Sequence, residues 1–143
     1  MGYRWWVAAA CVLVSLTGCG DESDGVLVIN GCRIEPGTNC NDKRMVGADL
    51  VSADLTDAVL QRVVLQDAKM AFATLVRADL TGANIARADL TGADLTDAQL
   101  FECNLSGTNF QGAKLDGVNW RGSVCPDGQE PSEARGCLDN LGF

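Results

Sequence analysis

A five-residue period governs the middle of this chain. From position 48 to position 122 the sequence divides into consecutive pentapeptides without a slip, and these 75 residues make fifteen units. The third residue of every unit is apolar, and it is leucine in eleven of them. The first residue is alanine in eleven units. Neither an α-helix nor a flat strand repeats every five residues, so we predict a chain that turns a corner once per unit.

Units such as ADLVS (48–52) and ADLTG (78–82) resemble the A(D/N)LXX consensus of the pentapeptide-repeat family. The resemblance implies an all-β fold, a right-handed, four-sided parallel β-helix with 20 residues per coil and about four coils. The first and third residues of each unit then point inward, and the other three point outward. One inward column is predicted to contain Leu55, Leu75, Leu95 and Leu115. Phe110 and Trp120 fall in the last coil, where large rings can close the open end.

The charged residues test the predicted coil length, because they play no part in fixing the register. Coils stack about 4.8 Å apart, so residues separated by twenty become neighbours, and opposite charges there are favourable. The outward columns alternate in sign, which supports four units per coil. These columns are Asp49, Lys69 and Asp89; Asp57, Arg77 and Asp97; Asp67 and Arg87; and Asp94 and Lys114.

Residues 1–18 resemble the signal peptide of a bacterial lipoprotein. The apolar run Trp5–Leu16 has twelve residues, whereas a membrane span needs roughly 20. It is followed by Leu-Thr-Gly-Cys, which resembles a lipobox ending at Cys19. The resemblance implies that the Cys19 thiol receives a diacylglycerol, and two or three acyl chains hold a protein stably at a membrane. We therefore predict an exported protein that is lipid-anchored to the cell membrane or outer membrane. The alternative is an ordinary secretory signal with an incidental cysteine.

The segments around the repeat complete the predicted domain plan. Residues 19–31 are predicted to form the lipidated cysteine and a flexible tether, because Gly20–Gly25 is polar and glycine-flanked. Residues 32–47 and 123–143 are predicted to cap the two ends of the 48–122 solenoid. The residue after Cys19 is Gly20 and not aspartate. In a cell with two membranes, the lipoprotein resemblance therefore favours the outer one.

Four cysteines flank the repeat in segments that look like the flanks of secreted pentapeptide-repeat proteins. Thiols outside the cytoplasm oxidise. Cys40 and Cys125 lie at opposite ends of the implied coil, beyond the roughly 4.4–6.8 Å between Cα atoms that a disulfide tolerates. Local pairs are therefore predicted, Cys32–Cys40 and Cys125–Cys137, and the same separation argues against a four-cysteine zinc site.

The one cysteine within the repeat, Cys103, occupies an inward first position. Free cysteine often behaves as a small hydrophobic residue in a protein core. We therefore predict that Cys103 is a buried structural residue, with a reactive thiol as the alternative.

The charge and composition argue against several function classes. Histidine is absent, which removes the commonest general base and metal ligand. The net charge is −8, and −9 once Arg4 is removed with the signal peptide, so the chain is a poor nucleic-acid binder. Outward carboxylates on a convex prism form no pocket. We predict no enzyme, no cofactor, no metal site and no small-molecule substrate; the glycine-rich spacing of calcium-binding β-rolls is also missing.

The remaining prediction is a non-enzymatic, membrane-anchored binding or structural module with an unknown protein partner. Outward apolar residues are the candidates for its contacts. We predict an interaction patch containing Phe72, Val76 and Phe101, with Val59 and Val64 as a further apolar pair. The alternative function is DNA mimicry, by which some family members occupy gyrase. Export and the alternating charge columns argue against it here.

Overall fold

The computed structural model of the protein describes residues 25–130 and 136–141. Within the coil, each pentapeptide forms one side, with a short parallel bridge at its second residue and a turn at its fourth and fifth residues. The bridges join residues that are twenty apart, as in Asp49↔Lys69 and Thr74↔Asp94. Four units therefore complete one coil. The predicted right-handed, four-sided parallel β-helix is confirmed.

Main-chain hydrogen bonds join each coil to the next along every side. The amide of the third residue donates to the carbonyl nineteen residues later, so Leu75 N lies 2.7 Å from Asp94 O. Asp94 N donates in turn to Ala73 O at 2.9 Å. Both contacts recur from side to side and pair the amide and carbonyl groups of neighbouring coils. The core side chains can then pack without leaving polar backbone unsatisfied beside them.

The corners are tight turns whose chemistry explains the repeat. Ala78 N donates to Leu75 O at 3.0 Å across the corner, and Arg77 adopts φ 55°, as a type II turn requires at its second central residue. The second residue stabilises the same corner with its side chain. Asp94 Oδ1 accepts the amide of Thr96 at 3.1 Å and its hydroxyl at 2.6 Å. Aspartate and asparagine are favoured at this position because their short side chains reach the amide two residues on.

The core consists of stacked third residues with small first residues beside them. Leu55, Leu75 and Leu95 are at most 1 % exposed, whereas Leu115 in the last coil is half-buried. Phe110 and Trp120 lie on opposite sides of that coil, and their rings meet edge-to-face with centroids 5.7 Å apart. The two rings thus close the interior, as the sequence predicted.

The coil extends beyond the predicted limits of 48 and 122. Its pattern of bridges and turns spans residues 38–127, which are 90 residues or eighteen units. The additional bridges are Asn39↔Val59, Arg44↔Val64 and Asn104↔Val124. Two of the additional units, 38–42 and 123–127, are hard to recognise in the sequence because their third residues are Cys40 and Cys125 instead of leucine. The unit 43–47 is hard to recognise because its first residue is Lys43. A lysine is tolerated there because this unit belongs to the first coil, so no earlier coil stacks on it, and the Lys43 amine lies beside Gly31.

A hairpin covers the start of the coil. Strand β1 (Val28–Ile29) pairs in an antiparallel manner with strand β2 (Cys32–Arg33). The predicted tether of residues 19–31 therefore ends before Val28, and the cap is this hairpin and not residues 32–47. Cys32 is joined to Cys40 with the Cα atoms 5.3 Å apart, so the hairpin is fixed to the first coil.

The other end is covered by a short 3-10 helix, Cys137–Asn140. Cys137 is joined to Cys125 of the last coil with the Cα atoms 5.3 Å apart. Gly136 lies directly on the Trp120 ring, where a side chain would clash. Of the predicted C-terminal cap, residues 123–127 belong to the coil, and the described cap begins at Gly136.

The predicted signal peptide (1–18), the acylation site Cys19 and the tether up to residue 24 lie outside the described residues. Within residues 25–130 and 136–141, no helix is long and apolar enough to cross a bilayer.

Candidate functional site

Three corners of the coil carry ion pairs between residues twenty apart. The guanidinium groups of Arg62, Arg77 and Arg87 lie 2.6, 2.7 and 2.8 Å from carboxylate oxygens in the preceding coil. Hydrogen bonds from these arginines lower the pKa of their partners, which are Asp42, Asp57 and Asp67. The Asp57–Arg77 and Asp67–Arg87 contacts were predicted from the alternating columns. The Asp42 contact was missed because Asp42 was assigned to a cap.

One side carries a fourth ion pair. Lys114 Nζ lies 2.9 Å from Asp94 Oδ2. Hydrogen bonds from the Thr96 hydroxyl and from Lys114 together lower the pKa of Asp94 to about 2. Lys69, by contrast, forms no ion pair with Asp49 or Asp89 among the described residues, although Asp49 and Asp89 are its bridge neighbours.

The outward carboxylates serve the fold. Those at second positions accept hydrogen bonds from turn amides, as Asp54 does from Thr56 N at 3.0 Å and Asp79 from Thr81 N at 3.0 Å. Asp42, Asp57 and Asp67, at three different corners, are each held by an arginine. Within the part of the chain that the structure describes, no group of cysteine, aspartate and glutamate side chains is arranged to hold a metal ion. These carboxylates therefore supply turn and pairing chemistry.

Cys103 is the one free cysteine among the described residues, and it is buried. Its Sγ lies 3.0 Å from Leu80 O, to which the thiol donates. Burial raises the pKa of the thiol to about 12. Because the thiolate is the nucleophilic form of cysteine, Cys103 stays unreactive at neutral pH.

The remaining corner is uncharged along its whole height. It is formed by the fourth and fifth residues of the units that begin at positions 48, 68, 88 and 108. We call it the uncharged corner; its residues are Val51, Ser52, Ala71, Phe72, Thr91, Gly92, Gln111 and Gly112. Its fifth positions hold Ser52, Phe72 and two glycines where the other three corners hold aspartate–arginine pairs.

Phe72 is the most prominent residue of the uncharged corner. Its side chain is 64 % exposed, and Val51 in the coil before it is 49 % exposed. Phe72 also adopts φ 59°, a left-handed conformation that is uncommon for a bulky residue. Because fifth residues of other units adopt the same positive φ at their turns, the exposed ring, and not the backbone, is the reason to look for a function here.

The residues of the predicted patch, Phe72, Val76 and Phe101, lie at three different corners of the coil. Val76 and Phe101 are half-buried and belong to two other corners of the coil. Their spacing explains this result, because residues share a corner only when they are separated by about a multiple of twenty. Val59 and Val64 are likewise half-buried, on two adjacent sides. Val51, in contrast, lies twenty-one residues before Phe72, and this spacing in the sequence is enough to place both residues at the same corner in adjacent coils.

The repeat region of the chain is similar to a known protein family and to several solved structures. The family model for pentapeptide repeats matches residues 37–67, 44–82, 58–97 and 103–124, more than half of the chain. No curated protein sequence matches the chain. The chain is similar to HetL from the cyanobacterium Nostoc sp. strain PCC 7120, a protein involved in regulating heterocyst differentiation. The identity is 36 %, the TM-score is 0.63, and the match covers 64 % of this chain and 42 % of HetL.

Two further solved structures share the fold. A pentapeptide-repeat protein from the thylakoid lumen of Arabidopsis thaliana is 30 % identical with a TM-score of 0.59, and the match covers 70 % of this chain and 69 % of that one. QnrB1, a plasmid-mediated fluoroquinolone resistance protein, is 19 % identical with a TM-score of 0.53, over 55 % of this chain and 39 % of that one. At this identity the likeness to QnrB1 concerns the fold alone. The chain belongs to the pentapeptide-repeat family.

Proposed function

We propose that this protein is a lipid-anchored, non-enzymatic binding module of the bacterial cell envelope. The observation that carries the proposal is the use of the outward polar groups. Second-position carboxylates such as Asp54 are engaged by turn amides, and the corner aspartates Asp42, Asp57 and Asp67 are engaged by arginines. Such groups present a regular surface, and the hydrogen bond from Arg77 lowers the pKa of Asp57, which is the opposite of the raised pKa of a catalytic acid. The family consists of structural and binding proteins, and we propose that the flat sides of the coil receive a partner protein.

The anchor rests on the lipobox that ends at Cys19. After cleavage before this cysteine, the tether Gly20–Asp24 would join the acylated thiol to the described chain. Two buried acyl chains suffice for stable membrane attachment. Because Gly20 follows the cysteine, we propose the outer membrane as the destination in a cell that has one.

The anchor is tested by the mass of the protein extracted from membranes. We expect Cys19 to be the N-terminal residue and to carry the mass of a diacylglycerol. A Cys19→Ser variant should leave the membrane fraction and retain the fold. A native protein with an unmodified Cys19, or a Cys19→Ser variant that stays in the membrane fraction, would contradict the anchor.

The binding role is tested separately by chemical cross-linking on intact cells, followed by mass spectrometry. We expect adducts to a small set of envelope proteins through residues on the flat sides, such as Lys69 and Lys114. The absence of any adduct above the level of an unrelated lipoprotein would count against a partner.

DNA mimicry is the weaker candidate. A mimic needs a continuous acidic surface, whereas Asp57–Arg77 and Asp67–Arg87 alternate in sign along their corners. We expect no inhibition of gyrase supercoiling by the purified protein. Inhibition at concentrations comparable to that of gyrase would restore this alternative.

A further inference from the structure

We propose that the uncharged corner contacts the lipid bilayer directly, as a second and weaker membrane contact that orients the coil. The proposal rests on the lipid anchor proposed above. The first observation is the absence of charge: among the four corners of the coil, this corner alone has no charged residue at its fourth or fifth positions. A charged side chain in the apolar part of a bilayer is strongly unfavourable, so only this corner can approach the lipid without burying an ion.

Two exposed apolar side chains equip the corner for this contact. Val51 and Phe72 lie in adjacent coils, since the amide of Ser52 donates to Ala71 O at 2.9 Å. Both are about half exposed or more. Phenylalanine, like tryptophan and leucine, is typical of the apolar face that interfacial segments bury at the headgroup boundary of a membrane. The neighbouring residues are small or neutral and do not hold the bilayer away; they are Ser52, Ala71 and Gly92.

The shape of the corner favours lipid over a protein. The corner is convex and three to four coils high, which is roughly 15–20 Å at the usual spacing between strands. A strip of that height and roughly 10 Å wide has an area of about 200 Å², far below the roughly 800 Å² per partner of a stable protein interface. Within the coil of residues 38–127, a second copy of this chain offers convex corners and flat sides and no groove. A bilayer needs no complementary shape and deforms around a ridge.

The position of the corner matches the anchor. Val51 lies in the first coil and Phe72 in the second, at the end of the solenoid where the chain enters from residue 25. Five residues, 20–24, lie between Cys19 and Gly25, and the six Cα-to-Cα steps that join the two residues span at most about 20 Å when extended. An acylated Cys19 would therefore keep this end of the coil near the lipid. A tethered contact forms at a high effective concentration, so even a small apolar area suffices.

The charged residues on the two sides next to the corner limit how deeply the corner can enter the bilayer. On one side lie Asp49, Lys69 and Asp89, and on the other side lie Asp54 and the Asp94–Lys114 pair. These groups stay in water, so the contact involves the ridge and not the sides. The four carboxylates and two amines beside the corner sum to −2, so we expect anionic lipid not to strengthen the contact and to weaken it only slightly at physiological salt.

The test uses the lipidated protein made in cells and reconstituted into phosphatidylcholine vesicles, with and without phosphatidylglycerol. Phe72→Trp reports from the uncharged corner, and Phe101→Trp reports from another corner as the matched control. The unsubstituted protein gives the contribution of buried Trp120. With brominated phosphatidylcholine, we expect Phe72→Trp to lose emission and to shift to shorter wavelength in both lipid mixtures, while Phe101→Trp stays unchanged.

The two proposals fail in different ways. An acylated protein whose Phe72→Trp emission is unaffected by brominated lipid overturns the corner contact and leaves the anchor standing. A Cys19 without lipid overturns the anchor, and the same emission measurement with a maleimide lipid coupled to Cys19 then decides the corner contact. A photoreactive residue at position 72 that cross-links to a protein and not to lipid in intact cells also overturns the contact.

Discussion

The ring of Phe72 lies over the backbone of Gly92, twenty residues later in the next coil. A Cβ added to Gly92 would lie 2.7 Å from two carbons of the ring, and Gly92 has φ 64°. Other fifth-position side chains lean the same way, since Arg62 lies over Gly82 and Asp97 over Gly117. At each of these corners, the fifth-position side chain of one coil is thus accommodated by the glycine at the same corner of the next coil.

This relationship predicts an unequal effect of two glycine substitutions. Gly92→Ala should cost more stability than Gly112→Ala, because both residues have positive φ but Gly112 has no side chain above it within contact distance. The left-handed conformation costs roughly 1–2 kcal/mol in either variant, and the clash adds about 1 kcal/mol to Gly92→Ala. Urea denaturation measures both values. In a Phe72→Ser background the difference between them should vanish, and a difference that persists would contradict the contact.

The inward column predicts that a charge at Leu75 unfolds the protein. Leu75 is fully buried, and an unpaired carboxylate there would cost several kcal/mol, comparable to the roughly 5–15 kcal/mol stability of a domain. Leu75→Asp should abolish the cooperative thermal transition seen by circular dichroism. Val76→Asp puts the same charge at the next, outward residue and should retain the transition. Equal behaviour of the two variants would refute the register.

A buried hydroxyl completes one corner of the coil. Elsewhere the first-residue amide donates across the turn, but Cys103 N donates to Ser123 Oγ at 2.9 Å, and the Ser123 hydroxyl donates to Leu100 O. Ser123→Ala should therefore destabilise the protein by roughly 1–3 kcal/mol, the penalty for buried groups left unpaired. Ser106→Ala, at a half-buried outward hydroxyl, is the control and should cost less. A smaller loss for Ser123→Ala in chemical denaturation would show that the turn closes without the hydroxyl.

The hydrogen bonds from Thr96 and Lys114 to the Asp94 carboxylate predict a loss of stability in acid. The folded pKa of Asp94 is about 2, against 3.8 for an ordinary aspartate. Because the folded pKa is the lower one, this stabilisation is complete above about pH 5 and is lost as the pH falls towards 2. Asp94→Asn should flatten the acid side of a plot of melting temperature against pH. If the variant has the same dependence of melting temperature on pH as the unsubstituted protein, other carboxyl groups cause the loss of stability in acid.

The period of five and the apolar third residues already determined the fold, because only a coil with four corners per 20 residues places Leu55, Leu75 and Leu95 in one column. Local chemistry also determined the turns, since Asp94 contacts an amide only two residues away. The two ends were predicted less well. Cys40 and Cys125 obey the repeat in position but not in residue type, and only contact with a neighbouring coil reveals that they belong to it.

The sequence by itself determined the repeat, its register and the column of each outward residue. Only the tertiary structure decided which outward residues are exposed and which of them meet. Phe72, Val76 and Phe101 are alike as apolar outward residues, yet Phe72 alone of the three is largely exposed, and its exposed neighbour Val51 precedes it by one coil. The physical reason is that exposure depends on the side chains of adjacent coils. Those side chains are twenty residues away in sequence and in contact only once the chain has wound.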